Sequence, residues 1–350
     1  MSRNDRTAEN HHTVPKNALL NNFAKKRKGK KSCYVYLYDK SEGKMVPNAT
    51  SVDNVLVQRD FYSIKTVKGM WSIEQALATL EDKAAPVISQ IVRTSSLAAL
   101  SPENRVILAT FVAAQYLRSP KIRDSQQILA ESLASKAEIM APNASNLDEI
   151  KNNAHEDVVK ARSIKTIEDL VGDLGETLFG YRWLLHKAPK GHTFWISDCP
   201  VVMHNDEDFG PYGKLGLEVP SIQISIPLDS KHILSIWHPK IVKDMDDQKS
   251  DNIRRKGHLK NKLVLGANPD RVKIEILLKQ IEKQLIYIDS VFERFDGDGF
   301  LQATADNIEH FNALQYHWAL RFIVSEEANF ELADRIFTDD PDADIKFTVD

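Results

Sequence analysis

"RVILATFVAAQYLRSP", residues 105–120, is apolar on nearly every side from Val106 to Leu117 and turns polar only at its end. A helix of that kind belongs in the middle of a protein, because no side of it is suited to water. Ser101, Pro102 and Glu103 supply a strong helix start, and Pro120 supplies the stop. Gln115 and Arg118 lie three apart and share one face. Leu108 and Phe111 are on that same face, which should point inward. A buried guanidinium is costly unless a carboxylate or an anionic ligand meets it. The plainer alternative is an arginine snorkelling from the helix end, helped by the helix dipole.

Helical patterns surround this segment. Ser72 opens a helix over "IEQALATLEDKAA", which Pro86 is expected to kink or divide. Further helices are expected over 121–139, 146–162 and 167–179. Upstream, "SCYVYLYDK" (32–40) reads as a strand, followed by a hairpin turn. Near residue 180 the pattern changes. "YRWLLHK", "HTFWISD", "SIQISIPL" and "HILSIWH" are β-like runs separated by Gly, Pro and Asp. Residues 240–262 read as a charged loop, 271–290 as ambiguous, and 304–324 as one long helix. Strands, then helices, then strands argue for an α+β fold, with a central helical bundle packed against an antiparallel sheet. The expected organisation is a disordered stretch over 1–11, a single domain over 12–336 with a possible insertion at 241–300, and an acidic tail over 337–350.

Composition narrows the class. The 350 residues are 42% apolar and 27% charged, which fits a folded domain with a real core. A formal net charge of −3 gives no global attraction for nucleic acid or anionic lipid. Cys33 and Cys199 are too few for a disulfide framework, so a reduced, cytoplasmic setting is the expectation. No signal-like h-region and no apolar run of about 20 residues is seen, so no membrane partner is expected. The lysine-rich run at 25–31 lacks interleaved aromatics for base stacking, so nucleic acid is a possible partner that is not favoured. "DGDGF" (296–300) fails the calcium-loop pattern, since Phe300 and Leu301 stand where an oxygen ligand and a glycine are needed. Neither His232 with His238 nor His310 with His317 has metal-ligand spacing. No metal is implied, and the sequence leaves the cofactor unknown.

Other polar residues are set into apolar segments. In "HTFWISDCPVV" (192–202), Ser197 and Asp198 stand where a buried strand stops. A loop aspartate usually accepts from the amide two residues on. Here that residue is Pro200, which has no N–H. Asp198 is therefore free to meet an arginine, with Arg118 and Arg321 as the natural candidates. In "EHFNALQYHWALRFIVS" (309–325), Asn312 and Gln315 are three apart and His317 and Arg321 four apart, all among large apolar side chains. Internal amides of this kind can be core-organising networks without chemistry. His12 precedes a helix expected to start at Pro15, where the positive helix end would keep its imidazole neutral.

These stretches occur together in order. "HHTVPKNALLNNFA", "YVYLYDK", "RDFY", "IEQALATLE", "FVAAQYLRSP", "WISDCPVV", "SIPLDS" and "NALQYHWALRFIVS" resemble the family catalogued as domain of unknown function 4238. The resemblance places His12, Val14 and Pro15 on an H-x-V-P element, Gln115 and Arg118 on Q-x-x-R, and Ser197, Asp198 and Pro200 on S-D-x-P. It implies one continuous domain and no particular activity. The functional expectation is a polar pocket in a hydrolase of phosphoesters or nucleic acid. Arg118 would bind an anionic group, Asp198 or His12 would act as base, and Gln115 would assist. Asn312, Gln315, Arg321 and Ser197 would contact the ligand. The rivals are a non-catalytic binding or regulatory module with a buried polar network, and a nucleic-acid binder using residues 25–31.

Overall fold

The computed structural model describes residues 10–26, 33–66, 69–207, 213–264 and 270–340. After the strands of residues 10–72 come five helices: α1 (Glu74–Thr94), α2 (Pro102–Leu117), α3 (Pro120–Met140), α4 (Leu147–Asn153) and α5 (Glu156–Phe179). After the central strands come α6 (Pro239–Val264), α7 (Arg271–Arg294), α8 (Ala305–Trp318) and α9 (Glu331–Asp339).

The central position of α2 follows from its composition. Leu108, Ala109, Phe111, Val112, Ala113 and Ala114 are all buried. Its small side chains let α5 come close: a Cβ on Gly175 would sit 3.0 Å from Thr110 Cα. The Ser101 side chain accepts from the Asn104 amide, and Pro102 occupies the first turn. Ser119 and Pro120 then end α2 and begin α3.

The sheet expected after residue 180 is present. Strands 202–204, 223–227, 232–237 and 182–187 pair antiparallel in that order, and 301–302 adds in parallel to 182–187. Ile224, Ile226, Leu234 and Ile236 share one apolar cluster with Leu108, Val112, Ile88 and Ile91, joining the sheet to the helices. A second sheet is built on Cys33–Asp39, which pairs with Phe322–Ser325, itself paired with Ile196–Ser197. The architecture is α+β. No helix among the described residues is long and apolar enough to cross a membrane.

Several local expectations are corrected. Helix α1 runs unbroken through Pro86, because the buried face of Ala84, Val87, Ile88 and Ile91 outweighs the roughly 3 kcal/mol that an interior proline costs. Residues 240–262 are helix, not loop. Together α6 and α7 form a pair held by Ile274, Ile281 and Ile288 and by an Asn252–Gln284 hydrogen bond of 3.1 Å. The helix boundary expected between 162 and 167 falls instead at Ala154–His155. The segment after Pro15 is a turn leading to a single 3-10 turn at Leu20–Phe23. Asn10 and His11 are in a strand paired with Gln58 and Arg59, where disorder to residue 11 was expected. Helix α8 ends at Trp318, and 322–325 is a strand, so Arg321 does not share a helical face with His317. Of the lysine run, Lys25 and Lys26 pair with the Cys33–Asp39 strand, while 27–31 lie outside the described residues, as do 1–9 and the acidic tail from 341.

Candidate functional site

His12 and Arg118 meet in one cavity of about 220 Å³. Strand 10–12 delivers His11 and His12, the end of α2 delivers Arg118, and α1 delivers Glu74 and Glu81 from one face, two turns apart. Tyr62 forms part of the wall.

The His12 tautomer is set by its surroundings. Nδ1 lies 3.1 Å from the Val55 carbonyl, which can only accept, so Nδ1 carries the proton. Nε2 then holds the lone pair and has no partner among the described residues. Burial holds the His12 pKa below the usual histidine range, and Lys16 adds to this, against the Val55 carbonyl and the carboxylates of Asp53 and Glu81. The imidazole is therefore neutral near pH 7. In His11 the roles are reversed. Its Nδ1 accepts from the Tyr62 amide at 3.0 Å, so the proton sits on Nε2, 2.7 Å from the Glu74 carboxylate. Burial raises the Glu74 pKa, against the pull of His11.

Arg118 is 1% exposed and is not snorkelling. Its Nη1 donates to Glu81 Oε1 at 2.6 Å and its Nη2 to Gln115 Oε1 at 3.2 Å. The buried guanidinium thus has the carboxylate its burial demands, but the carboxylate is Glu81 and not Asp198.

Asp198 lies in a different network. Its Oδ1 accepts from the Leu320 amide at 2.9 Å, and its Oδ2 from the Arg321 and Phe322 amides at 2.8 and 3.0 Å. Burial pushes its carboxyl pKa up, and the three amides pull it back. Arg321 sends its guanidinium to Asp39 Oδ2, 2.8 Å away. Ser197 Oγ donates to Gln315 Oε1 at 2.8 Å, and Gln315 Nε2 donates to the Pro200 carbonyl at 3.0 Å. Asn312 accepts from the Trp195 amide and donates to the Thr193 carbonyl. The sequence candidates therefore divide. His12 and Arg118 come together at the cavity, with Gln115 holding Arg118 from behind, while Ser197, Asp198, Asn312 and Gln315 fasten the 193–200 segment to α8 and the turn after it.

Sequence reasoning missed His11, Tyr62, Glu74 and Glu81. A signal was there for the last two: seven residues apart in "IEQALATLE", they share a helix face and flank an arginine that needs a carboxylate.

A second constellation also escaped notice. Ser95, at the end of α1, adopts a left-handed conformation with φ +49°. Its Oγ is 2.9 Å from His232 Nε2, and His232 Nδ1 is 3.0 Å from Asp229 Oδ1. Lys187 Nζ donates to the same Oγ at 2.9 Å. An ammonium only donates, so the serine proton points to His232 Nε2 and the histidine proton to Asp229. No group of three or more His, Cys, Asp or Glu suited to a metal occurs among the described residues.

A family model described as "Protein of unknown function (DUF4238)" matches residues 10–329. No curated protein and no solved structure matches the chain significantly.

Proposed function

We infer that this chain, which belongs to the DUF4238 family, is a hydrolase whose water-activating base is His12, acting on a small phosphoester. One observation carries the reading. His12 and Arg118, far apart in sequence, line one cavity in which a neutral imidazole presents an unpartnered Nε2. A base of this kind takes a proton from water as the water attacks phosphorus, the ester P–O bond breaks, and the departing alkoxide takes the proton back from the imidazolium; such a base contributes about 10²- to 10⁴-fold. The imidazolium that forms lies in the field of the Glu81 carboxylate. Arg118, held by Glu81 and Gln115, supplies a fixed cation at the wall for an anionic oxygen. The test is turnover of p-nitrophenyl phosphate and bis-p-nitrophenyl phosphate by the wild type and His12→Asn. The variant should lose at least 100-fold in kcat and keep its Tm. The acid limb of the wild-type rate profile should fall below pH 6.5, the direction in which burial moves His12. Equal turnover by His12→Asn would overturn the assignment.

The hydrogen bonds of Ser95, His232 and Asp229 favour a second reading, acyl transfer through Ser95. Here the Ser95 proton passes to His232 Nε2 as Oγ attacks the acyl carbon, the alcohol of the ester leaves with that proton, water then releases the acyl group from Oγ, and the Lys187 ammonium faces the developing negative charge. A fluorophosphonate probe, which loses fluoride on attack, would leave its adduct on Ser95 in the wild type and not in His232→Ala. A wild-type protein left unlabelled reduces the trio to a helix-end clamp.

A further inference from the structure

The sheet of strands 202–204, 223–227, 232–237 and 182–187 has two unlike faces. On one, Ile224, Ile226, Leu234 and Ile236 join the apolar cluster of α1 and α2. The register puts the alternate residues on the other face. His204 stands opposite Gln223 and Gln223 opposite Trp237, while Ser225 meets Ser235 and His186 meets Ile233. The α6–α7 pair lies over this second face, where Ile241 and Val291 pack with Leu184 and Trp237. A sheet covered on both sides is expected to be apolar on both. Here the covered face turns to histidine, glutamine and serine beside its packed end.

A cleft of about 530 Å³ lies between this face, the α6–α7 pair and α8. Its lining is nearly without charge. No lysine or arginine is among the described residues that line it. Its one carboxylate, Asp206, has a side chain 81% exposed and already accepts from His204 Nε2 at 2.9 Å. Burial lowers the pKa of His186 to about 4 and also lowers that of His310, where His204 adds to the effect against Asp206, so both imidazoles are neutral near pH 7. Such a wall suits an uncharged ligand and offers no cation to a phosphate.

The remaining lining is aromatic rings and carboxamides. Trp237, Tyr287 and Phe311 supply the rings. Asn307 Oδ1 accepts from the Thr304 amide and hydroxyl, and Gln284 Oε1 accepts from Asn252 at 3.1 Å, so each NH₂ group is left to donate. Gln223 adds a donor and an acceptor from the sheet. His186, 9% exposed, keeps its Nε2 hidden from solvent without a hydrogen-bond partner. Rings that stack, and carboxamides that match an adjacent donor and acceptor, are the chemistry that recognises a purine. The volume falls in the range of small-molecule pockets. We propose that the cleft beneath α6 and α7 binds the base of an uncharged purine nucleoside. The site goes beyond the His12 reading and does not depend on it, since the two cavities share no lining residue.

Isothermal titration of the full chain with adenosine and with inosine tests this, with adenosine monophosphate as the charged comparison. Wild type should give saturable one-to-one binding of at least one nucleoside, and the phosphate should add no affinity. Tyr287→Ala, which removes a stacking face, and Gln223→Leu, which removes the paired donor and acceptor, should each weaken binding by about tenfold. Tyr287 is 56% exposed, so its truncation leaves the fold intact. His12→Asn should bind as wild type does, which separates loss of turnover from loss of binding. No saturable heat with either nucleoside, wild-type affinity in either cleft variant, or a monophosphate bound ~10-fold more tightly than its nucleoside would overturn the proposal.

Discussion

Asp198 explains why a carboxylate stands where an apolar strand stops. Pro200 removes its ordinary local acceptor role, as its position in the chain suggests. The carboxylate turns to another part of the chain and collects the amides of residues 320, 321 and 322, which follow the end of α8. This also ends the helix: the captured amides cannot continue the i→i−4 ladder, so Phe322 enters a strand. Replacing the carboxylate is therefore a structural experiment. Asp198→Asn presents one acceptor oxygen and turns an NH₂ group toward backbone donors. A buried charge-assisted set of this kind should cost about 3 kcal/mol when broken. Urea unfolding would measure it, and hydrolytic turnover per folded molecule should stay at the wild-type level. A variant of normal stability that loses turnover would move Asp198 into the chemistry.

The elements that were legible from sequence share a physical feature. Helix α2 was read from its all-round apolarity, and the strands at 182–187, 223–227 and 232–237 from β-rich runs bounded by turn residues. In each, local composition and tertiary role agree. The misread elements are those where the two part. Helix α6 looked like a loop because its outward charges dominate its composition, and only its pairing with α7 accounts for the buried Asn252. Pro86 was expected to break α1, but a packed face carries the helix past it. The end of α8 depends on Asp198, more than a hundred residues away, which no window along the chain can see. The same limit governs the cavity. A buried Arg118 announces that a partner must exist, but charge alone does not choose Glu81 over Asp198, and only topology does. Arg118 stands out because a guanidinium is costly inside an apolar helix, and His12 only because a helix was expected to start at Pro15, where the structure has a turn and a 3-10 turn at Leu20–Phe23. Ser95 gave no such signal, because a serine at a helix end is ordinary until its neighbours are known.

Taken together, the partly or fully desolvated imidazoles tie the stability of the molecule to pH. Burial lowers the pKa of His12, His310 and His238, and most strongly that of His186, to about 4. His186 sits on the inner strand 182–187 against Phe311, with Nε2 lacking a partner. These groups are neutral in the fold and ordinary in the unfolded chain, so the unfolded state binds more protons once the pH drops below about 6.5. Stability is then fully present above that value and declines as the pH falls toward the folded-state pKa. For His186 the full decline, between about pH 6.5 and 4, is on the order of 3 kcal/mol, at about 1.4 kcal/mol per pH unit. Carboxyls with raised values, Asp198 and Glu74, act in the opposite sense, because protonating them suits the fold. The comparison that isolates His186 is His186→Phe against wild type, each unfolded in urea from pH 7.5 to pH 5. The variant cannot take up the proton, so it should lose about 2 kcal/mol less than wild type over that interval. Parallel curves would mean that the imidazole is not held neutral, and that the strand opens to water well before the rest of the protein unfolds.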